Sequence, residues 1–201
     1  MAASPLSAAT RDRILGAAWE RVSEHGPGAV TVAAVARDAG VSRQLVYFHY
    51  GNRAGLLTAM ARHRDEAGGF PQRVVEARVL PPVEALEALL RAWCAYLPDV
   101  LPIARALEAA LVTGDEGGAA WRDRMGDLRG AVRRAVSRAA DDDRLAPGWT
   151  VDTATDWAWA GVQPSTYAHL VHERGWTHDA YVERTVGSLL DRLLTRASVG
   201  G

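Results

Sequence analysis

TVAAVARDAGVSRQLVYFHYGNRAGLL, residues 31–57, is the stretch on which the fold turns. Thr31 stands where a helix N-cap is wanted, and Val32, Val35 and Ala36 follow at the spacing of one buried helical face. Gly40 permits a tight turn after Ala39, because glycine accepts the left-handed backbone that ends a short helix. Ser42 caps a second short helix running to about Tyr50. Gly51 and Asn52 break the chain again, and Asn52 can cap a further helix from Arg53 to about Glu66. Two short helices across a glycine-bearing turn make a helix-turn-helix, and the alanines of the first let the pair pack closely.

Outward from this stretch the pattern stays helical. Upstream, Ile14, Leu15, Ala18, Trp19 and Val22 form one face of a helix over 10–25, closed by Gly26 and Pro27. Downstream, the 68–71 segment and the Leu80, Pro81, Pro82 step read as punctuation. Val83, Leu86, Leu89, Leu90, Trp93 and Leu97 mark the next helix. Pro98 and Pro102 set off its junction to a helix ending near Gly114. Trp121, Met125, Leu128, Val132 and Val136 stripe a segment over 119–140, and the acidic run 141–143 ends it. Two last helices are expected at about 151–173 and 178–196, divided by Gly175. No hairpin or internal repeat is legible. The expectation is an all-α protein of about nine helices: a three-helix helix-turn-helix domain over 1–52 and a larger helical domain over 53–201.

Composition narrows the function classes. Nearly half of the 201 residues are apolar, enough for a sizeable core. Every lysine-or-arginine position is arginine, as a GC-rich genome gives. Residues 1–65 carry eight arginines against five acids, whereas the rest is acidic, which suits one nucleic-acid surface on a soluble body. Cys94 is the one cysteine, so neither an intrachain disulfide nor a cysteine zinc site is available. The N-terminus lacks a signal-peptide pattern, and no apolar run approaches a membrane span, so a cytoplasmic protein without membrane contact is expected. The sequence contains no nucleophile elbow, phosphate loop or zinc-protease signature, so no enzyme, cofactor or metal is expected. His169, His172 and Glu173 lie on adjacent helical positions and are read as surface. The 141–143 acids are read as a solvated loop.

Thr31, Val35, Ala36, Ala39, Gly40, Val41, Ser42, Tyr47, His49, Tyr50, Gly51, Asn52, Arg53, Leu56 and Leu57 fall in register with the TetR family's N-terminal motif. The first 60 or so residues resemble that family strongly; beyond them length and helical layout agree. Gln44 and Leu45 stand where small residues are common, Arg53 where lysine is frequent and Tyr50 where phenylalanine is. The resemblance implies a bacterial DNA-binding regulator, a repressor released by a small-molecule effector. A helix suits the major groove, which is ~12 Å wide. Arg43 and Gln44, on the first turn of the second motif helix, are the candidates for base edges: arginine reads guanine and glutamine adenine in bidentate fashion. Thr31, Ser42, Tyr47, His49 and Arg53 are phosphate contacts by resemblance, with capping alone as the other role open to Thr31 and Ser42. Tyr50 is read as core. Arg11 and Arg13 fit either a phosphate contact or a solvated face.

For the body, the resemblance implies a ligand cavity and a homodimer. Val182, Val186, Leu189, Leu190 and Leu193 make an apolar stripe on the last helix. Paired with the helix around Trp157–Val171, it would form a four-helix bundle across a two-fold axis; packing inside the protomer is the other use of the same stripe. Such a dimer reads a pseudo-palindromic operator in double-stranded DNA. Six of the seven tryptophans follow residue 90. Trp93, Tyr96, Trp121, Met125 and Trp159 can line a cavity for an apolar or aromatic effector, or simply be core. Trp157 and Trp159 diverge by about 200° on a helix and cannot share one pocket. Pro164 either kinks or ends a helix, and Gln163, Ser165 and Thr166 beside it are candidates for a polar group on the effector. The competing readings are a helical interaction module or an enzyme without DNA binding.

Overall fold

The computed structural model describes residues 6–114 and 117–195. Among these it has ten α-helices, a 3-10 turn, a π-helical segment and one isolated bridge between Leu145 and Leu194. Two compact units divide the chain: Met1–Ala67 with Asp99–Arg124, and Gly68–Pro98 with Met125–Gly201.

The first unit begins with α1 (Ala8–His25), α2 (Val32–Asp38), α3 (Arg43–Tyr50) and α4 (Arg53–Ala67). α1 packs on α2 and α4, and α3 on α2 and α4. Ile14, Leu15, Val35, Val46, Leu56 and Leu57 are fully or almost fully buried between them. At roughly 1.5–3 kcal/mol per large apolar side chain, this small core holds helices too short to persist alone. The Arg64 guanidinium sits 4.8 Å from the Trp19 ring centroid and also donates to Asp99, at 2.9 Å. Arg124 grips Asp65 with both terminal nitrogens, and both side chains are mostly buried.

The second unit holds α5 (Phe70–Arg78), α8 (Val151–Gly161), α9 (Pro164–Tyr167), the π-helical turn Ala168–Glu173 and α10 (His178–Leu193). It shares α6 (Pro82–Thr113) and α7 (Gly117–Asp141) with the first, the division falling inside both helices. Its centre is Trp93, fully buried, whose ring lies edge-on to Phe70 and Tyr96 and whose indole donates to the Val162 carbonyl at 2.8 Å.

Three helical expectations change. The count is ten: α5 fills the segment between the two punctuation sites, two expected helices merge into α6, and the expected 151–173 helix divides. Pro71 lies in its first turn and Pro82 opens α6, positions where a missing N–H costs nothing. α6 runs unbroken through Pro98 and Pro102. Each proline costs about 3 kcal/mol, but buried Leu97, Val100, Leu101 and Ile103 offset it. At the third place, the expected 151–173 helix is three pieces. Gln163 is extended, so Pro164 ends one helix and opens the next. α10 stops at Leu193, with Leu194 extended and pairing to Leu145; residue 196, the expected end, lies outside the described residues.

Candidate nucleic-acid interface

Local hydrogen bonds build the helix-turn-helix from its own sequence. The Thr31 hydroxyl accepts from the Ala34 amide at 3.1 Å, and the Ser42 hydroxyl from the Leu45 amide at 3.1 Å. Between them Gly40 is left-handed (φ 64°). Val41 N–H bonds the Ala36 carbonyl at 2.9 Å and Gly40 N–H the Arg37 carbonyl at 3.1 Å, the paired closure that aims α3 away from α2. Asn52 accepts from the Gly55 amide at 2.8 Å and starts α4. Arg21 of α1 bonds Asp38 at the end of α2 and holds its carboxyl below the usual carboxylate range.

α3 turns Val46 inward and leaves Arg43, Gln44, Tyr47 and Phe48 exposed, the two aromatics 53% and 63%. Arg43 and Gln44 occupy the first turn, where amides face outward and an anion is favoured. Thr31, Arg37 and Arg43 line one depression of about 380 Å³ floored by Ala33, Ala34, Ala36 and Val41. Capping uses one acceptor lone pair of Thr31 and of Ser42, and the O–H of each can still donate to a phosphate. His49 is half-buried, its ring 5.0 Å from Phe48 and 6.5 Å from Tyr50. Leu45 is half-buried, off the outer face. Arg53 donates from Nε to the Val30 carbonyl at 2.8 Å, tying α4 to the residue before the Thr31 cap. Tyr50 is half-buried with its hydroxyl unpartnered among the described residues, and burial raises its pKa. Phe48 and Arg37 were not singled out by the motif. Phe48 is nonetheless visible from spacing alone, one turn beyond Gln44.

The candidate effector residues do not gather in one place. Trp93 and Tyr96 sit together, ring centroids 6.3 Å apart, and Tyr96 stacks on Phe70 at 5.5 Å. The Trp159 indole donates to the Met125 carbonyl at 3.0 Å, and Gln163 to the Trp159 carbonyl at 2.9 Å. Thr166 is half-buried. Trp121 is buried in the first unit, whereas the other six residues belong to the second. On the last helix Val186 and Leu193 are fully buried and Leu189 nearly so, while Val182 and Leu190 are half-buried. That stripe is largely spent inside the protomer. Beside it, Trp157, Ala160, Leu170, Trp176, Leu189 and Arg184 line an open groove of about 770 Å³, with Trp157 54% exposed.

Among the described residues no three histidine, cysteine or acidic side chains converge as metal ligands, and no helix is long and apolar enough to cross a membrane. A basic first turn and exposed aromatics on the outer helix of a helix-turn-helix define a class, the DNA-binding transcriptional regulators. Residues 14–60 match the family described as "Bacterial regulatory proteins, tetR family". Over residues 14–60 the chain carries the DNA-binding domain of that family of transcriptional regulators. It is 29% identical over 192 residues to an "HTH-type transcriptional repressor AcnR" of Corynebacterium efficiens, covering 96% of this chain and 86% of that one. Its fold is similar to a putative TetR-family regulator from Rhodococcus sp. (TM-score 0.74, 20% identity, 94% and 100% coverage). It is also similar to a putative regulator from Saccharomonospora viridis solved in complex with choline (TM-score 0.76, 15% identity, 94% and 100% coverage).

Proposed function

We propose that this chain is a cytoplasmic, homodimeric repressor that binds a pseudo-palindromic operator and is released by a small-molecule effector. Residues 1–52 supply the DNA-binding domain and 53–201 the effector and dimer functions. The observation that carries the reading is the outer face of α3: Arg43 and Gln44 on its exposed first turn, flanked by the Thr31 and Ser42 hydroxyls. Arg43 and Gln44 read bases, while Thr31, Ser42, Tyr47, His49 and Arg53 meet the backbone. Repression is what the AcnR relative's name describes for that protein, and it is carried here by the 29% identity over nearly the whole chain.

The dimer forms on the groove formed by α8, the π-helical turn and α10, where exposed Trp157 and the Trp176 ring leave apolar surface that a second copy covers. Leu189 lines it from the last helix; half-buried Val182 and Leu190 and buried Val186 and Leu193 make up the rest of that helix's proposed contribution. The effector is apolar or aromatic, and its candidate contacts are the Trp93–Tyr96 pair on one side and Trp159, Gln163 and Thr166 on the other, the Trp159 indole donating to the Met125 carbonyl; Trp121 is the remaining candidate. A hundredfold release of DNA needs about 2.7 kcal/mol of differential binding, within the range of known allosteric couplings.

Selection of duplexes from a random-sequence library by the full chain tests this. The expected product is a pseudo-palindrome with half-sites about one helical turn, roughly 10–10.5 base pairs, apart or a multiple of it. Failure to enrich any sequence refutes the reading.

A further inference from the structure

Phe48 is the more exposed of the two aromatic side chains on the outer face of α3 and, unlike Tyr47, carries no polar group; neither capping nor core packing accounts for it. Its ring is 63% exposed, with the half-buried His49 ring 5.0 Å away. It lies four residues after Gln44, on the same helix face and about 6 Å further along the axis. Base pairs stack every ~3.4 Å, so this step spans about two of them. Every base presents polar atoms in the major groove, and thymine alone adds a 5-methyl group, the apolar feature a phenylalanine ring can cover. Against cytosine the same ring would desolvate the N4 amino group without offering it an acceptor.

From this geometry we infer that Phe48 is a specificity-determining residue that reads a thymine methyl group, within two base pairs of the position read by Gln44. The inference rests on the DNA-binding reading above and adds a requirement to it: each operator half-site carries a thymine that is recognised through its methyl group.

The experiment uses the full chain and the operator recovered by selection from random duplexes. Each thymine is replaced singly by uracil, which removes the methyl and nothing else. One position per half-site should weaken wild-type binding about fourfold, the worth of one buried methyl group, and replacing both half-sites should cost about 15-fold. Phe48→Ala, at an exposed position that leaves the helical circular dichroism unchanged, should bind thymine and uracil operators equally.

Operators on which uracil is silent everywhere overturn the inference and leave the regulator reading standing. So does a Phe48→Ala chain that keeps the uracil penalty. A Phe48→Ala chain with altered oligomeric state and unaltered uracil sensitivity overturns it in favour of self-association. A library that enriches nothing overturns both readings.

Discussion

Gly55→Ala is the most discriminating single substitution in the DNA-binding unit, because two opposing effects predict opposite signs. Within a helix, alanine is better than glycine by about 0.5–1 kcal/mol. At position 55, however, an added Cβ would lie 2.0 Å from the Tyr50 carbonyl oxygen and 3.1 Å from its carbon. A carbon–oxygen contact normally sits near 3.3–3.6 Å, so the start of α4 must retreat about 1.3 Å from the end of α3. Both partners are backbone, and neither can swing aside as a flexible side chain would. Overpacking of this kind costs up to about 3 kcal/mol, leaving a net loss of about 2 kcal/mol. For a chain of this length that lowers Tm by about 4–8 °C. Gly16→Ala in α1 is the matched control, since nothing lies within 4 Å of its added Cβ; it should raise Tm by about 1–4 °C. Thermal melts of the three chains at one protein concentration decide the matter. A Gly55→Ala protein as stable as wild type would refute the close approach. DNA affinity should fall with it, because α3 carries Arg43 and Gln44.

Arg43→Ala should relax preference at a single base pair by about 1–3 kcal/mol in competition binding. Unchanged specificity would remove Arg43 from the reading set. Arg124→Ala removes two guanidinium hydrogen bonds from the mostly buried Asp65 carboxylate and should destabilise by about 1–3 kcal/mol in urea melts. Trp157→Arg, at the exposed α8 position, should shift dimer towards monomer in sedimentation velocity, and an unaltered dimer would put the interface elsewhere. Burial pushes the Cys94 thiol up to about 12 from an ordinary 9.0. Native protein should therefore ignore a thiol reagent at pH 8 and react on denaturation. A folded-state pKa above the unfolded one contributes stability fully below about pH 9, lost as pH rises through 12; Cys94→Ala should flatten that alkaline slope.

The helix-turn-helix was legible because its determinants are local. The Thr31, Ser42 and Asn52 caps each act on an amide three residues on, and the Gly40 turn closes within six residues. Sequence neighbours suffice to state such bonds. The body is governed by contacts that sequence spacing does not encode. Pro98 and Pro102 look like breaks until the burial around them is known, and Pro71 looks like loop until it is seen to open a helix. Gly55 offers no periodicity signal at all, since its constraint is an approach between the end of one helix and the start of the next.

The last helix shows the same limit in its sharpest form. An apolar stripe states that a face is buried but not what buries it. Val186 and Leu193 are covered within the protomer, so the residues with the clearest amphipathic signal have little surface left for a second copy. The surface that remains apolar is assembled from Trp157, Leu170, Trp176 and Leu189, drawn from α8, the π-helical turn, the loop after it and α10. No one of these segments shows a stripe pointing there. An exposed apolar face composed across elements is thus invisible to periodicity, whereas the exposed outer face of α3, composed within one short helix, is not. Exposure of Trp157, rather than hydrophobicity of the helix, is the property that singles this surface out for the proposed partner.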